Sequence, residues 1–271
     1  MTLRELRGAD GATGAAGGRR RPVRAARTAW AAAAVLLLPV TGCAAQPPGG
    51  GFVLRYEQPA PADRDSSRFL KDRAPAESTL ADLEAYVALP YRVTVTARSC
   101  AGEGTGYDPA RHRIELCYDD LAEERALFRQ AGSRDPDGDL AEVVRETLLH
   151  EAGHALVDAL DLPLDGDRAE EDAADRFAQL MLVRGGPEGE HALLTAARGY
   201  ELDAAADPAR GPDPSDEHAP PAVRAESHRC AVHGAAPARH PDLATPARAH
   251  CATTWARTQA TWTRDLSPLL R

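Results

Sequence analysis

The feature that most constrains this chain is the string His150-Glu-Ala-Gly-His154, which lies in a segment of helical character. Residues four apart on a helix project from one face, so the two imidazoles can meet on one metal ion. Glu151 then lies where a general base for a metal-activated water is needed. A chain of this composition gives such a string by chance at a rate of roughly 2%. The flanking sequence must therefore support the interpretation.

The residues around this string predict a long amphipathic helix. Asp139 can cap its N-terminus, and Glu142 three positions later completes an arrangement like a capping box. Pro163 predicts the exit from the helix. Apolar residues recur at spacings of three and four, at Leu140, Val143, Val144, Leu148, Ala152, Ala155, Leu156 and Leu160. An ordinary amphipathic helix also explains an isolated pair of histidines, so a third ligand is needed to favour a metal site.

An acidic segment that predicts a second helix, over residues 168–184, supplies this ligand. A catalytic zinc takes three protein ligands and leaves the fourth position to water. Glu171 begins a Glu-x-x-Ala-Asp string and is the predicted third ligand. Asp175, one turn later, is predicted to accept the second ring N–H of a ligand histidine. Glu170 and Asp172 fit favourable interaction with the helix dipole and water.

The two strings together resemble those of the gluzincin metallopeptidases, in which the glutamate of the second string is the third zinc ligand. More closely, the chain is similar to a bacterial metallopeptidase family designated domain of unknown function 4344. The similarity runs from about Leu80 to Leu270. Besides the metal strings it includes a segment ending in Cys100, Gly-Tyr-Asp-Pro at 106–109, Ile-Glu-Leu-Cys-Tyr at 114–118 and Asp-Glu-His at 216–218.

This resemblance implies an α+β, zincin-like single domain: a small antiparallel sheet, the helix with both histidines, a second helix with the glutamate ligand, and a mostly helical C-terminal part. Alternating apolar residues predict strands over 92–98 and 113–117. Residues 203–226, rich in Pro and Asp, are predicted to form a loop. A terminal helix is predicted from a stripe at Cys251, Trp255, Thr258, Trp262 and Leu266.

Four cysteines other than Cys43 are consistent with an oxidising compartment and allow three pairings. We favour Cys100 with Cys117 and Cys230 with Cys251. Cys100 and Cys117 both fall on the strand face opposite the apolar residues, so a bridge between the two strands can form. A thiolate metal site is the alternative, and the absence of any Cys-x-x-Cys spacing counts against it.

The N-terminus predicts export. Arginines precede an apolar run at residues 29–40, which is too short to span a bilayer but suits a secretory signal. The run ends in Thr-Gly-Cys43, which resembles a bacterial lipobox, so residues 1–42 are predicted to be removed and Cys43 to carry lipid. An ordinary signal peptide cut near Ala44 or Ala45 is the competing interpretation. We expect an extracytoplasmic protein, lipid-anchored to the outer face of the cell membrane.

The mature chain is predicted to be strongly acidic. Removal of residues 1–42 takes seven arginines, Glu5 and Asp10 from totals of 32 basic and 41 acidic residues, which leaves a formal charge of −14. Binding of nucleic acid is not expected for such a chain. Residues 43–78, rich in Pro, Gly and Ala, are predicted to form a disordered tether. Residues 79–271 then make one domain, expected to be monomeric.

The predicted chemistry is hydrolysis of a peptide or protein substrate with one Zn²⁺ held by His150, His154 and Glu171. Zinc would lower the pKa of its water, Glu151 would take the proton, and the hydroxide would attack the carbonyl. His218 is the preferred stabiliser of the oxyanion. The other candidates are Tyr200, Tyr118, His191 and Arg224.

Two other functions stay open. The chain could be a non-catalytic envelope lipoprotein that keeps the metal for stability, in which case the metal would lack an open position facing a cleft. Two histidines and a carboxylate also make the facial triad of non-haem iron oxygenases. Histidines on one helical turn with a glutamate between them favour zinc.

Overall fold

The computed structural model describes residues 50–206 and 216–271, which fold into eight helices and a four-stranded sheet. The predicted signal segment and Cys43 lie outside these residues. The strands are β1 (Gly51–Tyr56), β2 (Arg92–Arg98), β3 (Gly106–Asp108) and β4 (Arg113–Cys117). The helices are α1 (Arg64–Arg73), α2 (Pro75–Tyr86), α3 (Tyr118–Gln130), α4 (Pro136–Leu160), α5 (Asp167–Arg184), α6 (Gly186–Ala206), α7 (Pro221–Ala235) and α8 (Cys251–Asp265).

The sheet is mixed, with strand order β1-β2-β4-β3. Both strands predicted from the alternating pattern are present, and the α+β class is confirmed. The predicted antiparallel sheet is wrong, because β1, β2 and β4 are parallel and only β3 runs antiparallel, against β4. After β2 the chain crosses to the outer edge, forms β3 and returns as β4, parallel to β2. Alternation identifies the buried face of a strand but is the same for either direction.

The segment predicted as a tether is ordered from residue 51 onward, so the predicted domain start at residue 79 is wrong. Strand β1 pairs along its length with β2, and α1 and α2 cross back over the sheet to connect them. Phe52, Phe69 and Leu70 are buried in the main core. Three large apolar side chains in a polar segment give no clear periodicity, which explains why composition alone indicated a linker.

Helix α4 begins earlier than the capping box predicted. Its N-cap is Asp135, whose side chain accepts a hydrogen bond from the Gly138 amide at 3.0 Å, and Pro136 occupies the first helical position. Asp139 is therefore already inside the first turn. The helix ends at Leu160, followed by Asp161 in the left-handed conformation, φ 49°.

Helices α4 and α5 pack very closely where Gly153 faces Ala174. A Cβ added at Gly153 would lie 2.8 Å from the Ala174 Cα, closer than real Cβ atoms approach backbone. The absence of a side chain at Gly153 thus permits this approach. It brings the face of α4 that carries both histidines against the N-terminal half of α5.

The C-terminal part is helical, as predicted. Trp255 and Trp262 of α8 are buried in the main core, and the Trp262 ring lies 5.1 Å from that of Phe177. The loop predicted over 203–226 is partly wrong, since α6 continues to Ala206 and α7 begins at Pro221. Among residues 50–206 and 216–271, none of the helices combines the length and apolarity needed to cross a membrane.

Both predicted disulfides are present. Cys100 pairs with Cys117 beside the C-terminal ends of β2 and β4, and Cys230 pairs with Cys251, joining α7 to α8. Each of the four sulfur atoms is part of a disulfide bond, so the alternative of a thiolate metal site is excluded for these four residues.

Candidate metal centre

The predicted ligands come together where α4 meets α5. His150 and His154 lie one turn apart on α4, and their Nε2 atoms are 3.2 Å apart. On α5, the Glu171 carboxylate lies 3.1 Å from the His150 Nε2 through Oε2 and 3.3 Å from the His154 Nε2 through Oε1. Three potential ligand atoms from residues up to 21 positions apart in the sequence thus converge on one point.

Both histidines are fixed from behind by carboxylates of α5. The Nδ1 atom of His150 lies 2.9 Å from Asp175 Oδ1, and that of His154 lies 2.9 Å from Glu170 Oε1. Each Nδ1 can therefore donate its hydrogen to a carboxylate, which leaves the Nε2 lone pair directed into the centre. Asp175 has the predicted partner. Glu170 was expected to interact only with the helix dipole and water. Its carboxylate instead lies against His154.

When His150 and His154 are neutral and donate their Nδ1 hydrogens to Asp175 and Glu170, neither histidine has a hydrogen at Nε2 to donate to Glu171. Glu171 Oε2 is buried without a hydrogen-bond partner among the described residues, although imidazole nitrogens of His150 and His218 lie 3.1 and 3.0 Å away. Ligands at 2.0–2.1 Å from a tetrahedral zinc are separated by about 3.3 Å. The observed separations of 3.1–3.3 Å fit such an ion, as does the donor set of two imidazoles and a carboxylate.

The electrostatics of the centre favour positive charge. Burial disfavours the charged imidazole of His150, but Asp175 and Glu171 outweigh burial and raise its pKa to about 10. Burial likewise opposes ionisation of Glu171, yet the surrounding histidines hold the pKa of this carboxyl well below its usual range. The carboxylates therefore draw either a proton or a metal ion to the point between the Nε2 atoms.

Glu151 lies beside this centre and has no hydrogen-bond or ion-pair partner among residues 50–206 and 216–271. It is 6% exposed, and burial raises the pKa of its carboxyl. Its side chain lines a cavity of about 410 Å³ together with His154, Glu171 and His218. A buried, unpaired carboxyl that opens onto a cavity next to candidate ligands has the environment of a general base.

His218, the preferred oxyanion stabiliser, reaches the same cavity from the segment before α7. Its Nε2 lies 3.0 Å from Glu171 Oε2, and its ring stacks at 6.1 Å from that of His150. Arg168 donates a hydrogen bond to the His218 carbonyl at 3.1 Å. Of the other candidates for this role, Tyr118 is buried elsewhere, with its hydroxyl donating to the Glu57 carbonyl.

Arg224 of α7 supports the centre in a way that the sequence did not indicate. Its guanidinium donates to both oxygens of Asp175, at 2.6 and 3.1 Å, and lies 4.3 Å above the Tyr200 ring. Arg224 thereby fixes the position of the Asp175 carboxylate, which in turn orients the His150 ring. The residues involved are up to 74 positions apart, so no local sequence signal identifies the contact.

A second buried polar contact lies one turn before His150. Glu146 Oε1 is 3.0 Å from the His228 Nε2, and the other ring nitrogen of His228 is 3.1 Å from the Gln179 amide nitrogen. Glu146 and His228 are at most 1% exposed. Together with Arg224, His228 attaches α7 to both helices that carry the candidate ligands.

Comparison with known proteins assigns the chain to a family. The profile of domain of unknown function 4344, described as "Putative metallopeptidase", matches residues 56–266. The chain belongs to this family. Neither the curated proteins nor the solved structures include a match to the chain.

Family membership supports a peptidase that requires a metal ion and acts on a peptide or protein substrate. The matched range begins in β1 and includes α1 and α2, which agrees with a domain that starts well before residue 79. It also includes all residues of the candidate centre.

Proposed function

We propose that the protein is a zinc-dependent peptidase of the gluzincin type, with zinc held by His150, His154 and Glu171. One observation carries the proposal. The Nε2 atoms of His150 and His154 and the carboxylate of Glu171 converge at separations of 3.1–3.3 Å, beside the buried Glu151, which has no partner among the described residues. A closed structural site would use a fourth protein ligand, whereas this donor set faces a cavity.

When bound, zinc supplies Lewis acidity, which lowers the pKa of a water and polarises a substrate carbonyl. The carboxylate of Glu151 accepts the proton of the attacking water and passes it to the leaving amine. Asp175 and Glu170 keep Nδ1 of His150 and His154 protonated, so that each Nε2 remains a lone-pair donor. The imidazole of His218 lines the same cavity and is the proposed donor to the oxyanion.

The test is Glu151→Gln in the mature chain, with metal analysis and a peptide-cleavage assay. We expect stoichiometric zinc to be retained and cleavage to be lost, because the amide keeps the shape of the side chain but cannot accept the proton. Glu142→Gln, two turns earlier on the same helix, where Glu142 is half-buried and pairs with Arg145, is the matched control and should leave both unchanged. A protein without stoichiometric metal before and after zinc reconstitution would contradict the proposal, and iron in place of zinc would favour the oxygenase alternative.

We further propose that the protein is an exported lipoprotein, anchored through Cys43 to the outer face of the cell membrane. The apolar run that ends in Thr-Gly-Cys43 supports this address, and two disulfides suit an oxidising compartment. We expect Cys43→Ala to move the protein from the membrane fraction to the soluble fraction, with loss of metabolic labelling by a fatty acid. Labelling that persists in this variant would contradict the proposed anchor.

A further inference from the structure

A second cavity adjoins the candidate centre on the other side of Glu151. Its volume is about 380 Å³, and it lies between α3, α4 and α6. Glu151 and His218 line both this cavity and the one described above. A substrate that crosses the centre therefore has space for a side chain on each side of the bond at Glu151.

The walls of the second cavity combine an aliphatic lining with carboxylates. Leu127 and Val143 contribute apolar surface, whereas Glu123, Glu124 and Asp203 contribute acidic groups. A side chain that suits such walls has a methylene stem and a positively charged end. Lysine and arginine are the two side chains of this kind.

Glu124 is the acidic group of this wall whose negative charge is least balanced by neighbouring groups. Its Oε2 is buried and has no hydrogen-bond partner among the described residues. Burial is the main cause that raises the pKa of this carboxyl to about 7, and the carboxylates of Asp203, Glu146 and Asp120 add to the effect. A bound cation would offset the free-energy cost of ionising the Glu124 carboxyl. No neighbouring group in the described part of the chain offsets it.

The basic side chains in the cavity wall are Arg224, His150 and His218, and each is already paired with another carboxylate: Arg224 and His150 with Asp175, and His218 with Glu171. Among the described residues that line the cavity, Arg224 is the only arginine or lysine, and its guanidinium is bound to both oxygens of Asp175. A second, independent observation indicates that a ligand enters here: Glu151 is buried, has no partner among the described residues and lines the same cavity.

Resting on the proposed function, we propose that this cavity receives a lysine or arginine side chain of the substrate, next to the bond that is cleaved. Glu124 and Asp203 are the carboxylates that select it. The substrate class is therefore peptides with a basic residue beside the scissile bond. The apolar walls contact the methylene groups and the carboxylates contact the charged end.

The test compares peptides that differ at one position. Fluorogenic peptides carry lysine, norleucine or glutamate on either side of a central bond; norleucine resembles lysine in length but has no charge. The zinc-loaded mature chain is compared with Glu124→Gln, Asp203→Asn and the exposed control Glu188→Gln on α6. Binding of the same peptides to zinc-loaded Glu151→Gln, alone and combined with Glu124→Gln, is measured by fluorescence anisotropy.

We expect kcat/KM for lysine peptides to exceed that for norleucine peptides by about 10- to 100-fold, the range of one charged hydrogen bond. Glu124→Gln and Asp203→Asn should each reduce this ratio, with little change for norleucine peptides, whereas Glu188→Gln should not alter it. In the binding assay, the lysine preference should persist in Glu151→Gln and fall on addition of Glu124→Gln.

The outcomes separate the two proposals. Cleavage of all peptides at equal rates overturns the basic specificity and leaves the peptidase proposal intact. Lysine-selective binding without any cleavage by the zinc-loaded wild-type chain supports the cavity and overturns the peptidase proposal. Equal binding of lysine and norleucine peptides, in the absence of cleavage, overturns both. Circular dichroism of each variant establishes that it is folded.

Discussion

At the scale of single residues, Asp175 connects the candidate ligands to the rest of the protein. It is 6% exposed, accepts from His150 and is bound at both oxygens by Arg224. Burial alone would raise its pKa, but Arg224 and His150 outweigh burial and hold the pKa of this carboxyl well below its usual range. Asp175 therefore stays ionised across the physiological range and can keep the histidine oriented.

We predict that Asp175→Asn lowers the zinc affinity of the protein by about 10- to 100-fold, the typical effect of removing a carboxylate behind a metal-bound histidine. Competition with a chromogenic chelator measures the change. Asp172→Asn on the same helix is the matched control, because the Asp172 side chain is 41% exposed and pairs with Arg168 and Arg176 rather than with a candidate ligand. Equal affinity in both variants would rule out this role for Asp175.

Glu124 gives a prediction for the pH dependence of stability. Its pKa is about 7 in the folded protein, against an ordinary value of 4.5, and the carboxylates of Asp120, Glu123, Glu146 and Asp203 face it. The folded state thus holds a proton that the unfolded state has released. The stability associated with this proton is complete below about pH 4.5 and is lost as the pH rises through 7.

Glu124→Gln should therefore stabilise the protein at high pH alone. We expect its free energy of unfolding to match that of the wild type at pH 4 and to exceed it at pH 8 by on the order of 3 kcal/mol. Urea unfolding at a series of pH values measures the difference. A difference that does not vary with pH would show that the carboxyl ionises normally.

Local spacing was sufficient to predict the residues that share a helical turn. His150, Glu151 and His154 belong to one string, and Glu171 and Asp175 to another. Arg224 could not be assigned to Asp175, since nothing in a sequence shows which residues 49 positions apart will meet. The cavity at Glu124 could not be predicted from the sequence either, because residues of three helices form it.

At the scale of elements, the close approach of α4 and α5 determines where Glu171 lies. We predict that Gly153→Ala destabilises the protein by about 1–3 kcal/mol, because its Cβ would overlap the Ala174 backbone and the helices must separate. Thermal unfolding measures this, and chelator competition should show weaker zinc binding as Glu171 moves away from the histidines.

Gly199→Ala is the control for the effect of glycine itself. Gly199 lies inside α6, and a Cβ there would meet its neighbours at 3.5 Å or more, which is ordinary contact. The exchange should be neutral or stabilising by up to about 1 kcal/mol, the difference in helix propensity. If both exchanges had the same effect, close packing would not be the reason for Gly153.

Element type was predictable from periodicity, but strand direction and some boundaries were not. The alternation of Val93, Val95 and Ala97 identified β2 and its buried face. The direction of β4 relative to β2 depends on the crossing of the chain through β3, which only three residues form. The start of α4 shifted because Asp135 and Pro136 provide a stronger signal than the capping box at Asp139.

At the scale of the whole molecule, the N-terminal segment is part of the folded domain. A chain that starts at residue 79 would lose β1, α1 and the first turn of α2, and would expose Val93 and Val95 of β2. We predict that this truncated chain lacks a cooperative unfolding transition, whereas a chain that starts at residue 46 unfolds like the mature protein. Calorimetry of the two chains checks this, and a cooperative transition in the shorter chain would contradict it.

The arrangement of α5 has a consequence for how this protein can vary in length. Glu170, Glu171 and Asp175 occupy less than two turns, and each contacts a histidine of α4: Glu170 lies against His154, and Glu171 and Asp175 lie against His150. One residue added or removed between Glu171 and Asp175 would rotate one end of this segment by about 100° relative to the other. The loop at 161–166 is exposed apart from Leu162 and supplies none of these contacts, so it can change in length. Insertions in the loop before α5 should therefore be tolerated. Insertions within the first two turns of α5 should disrupt the candidate centre.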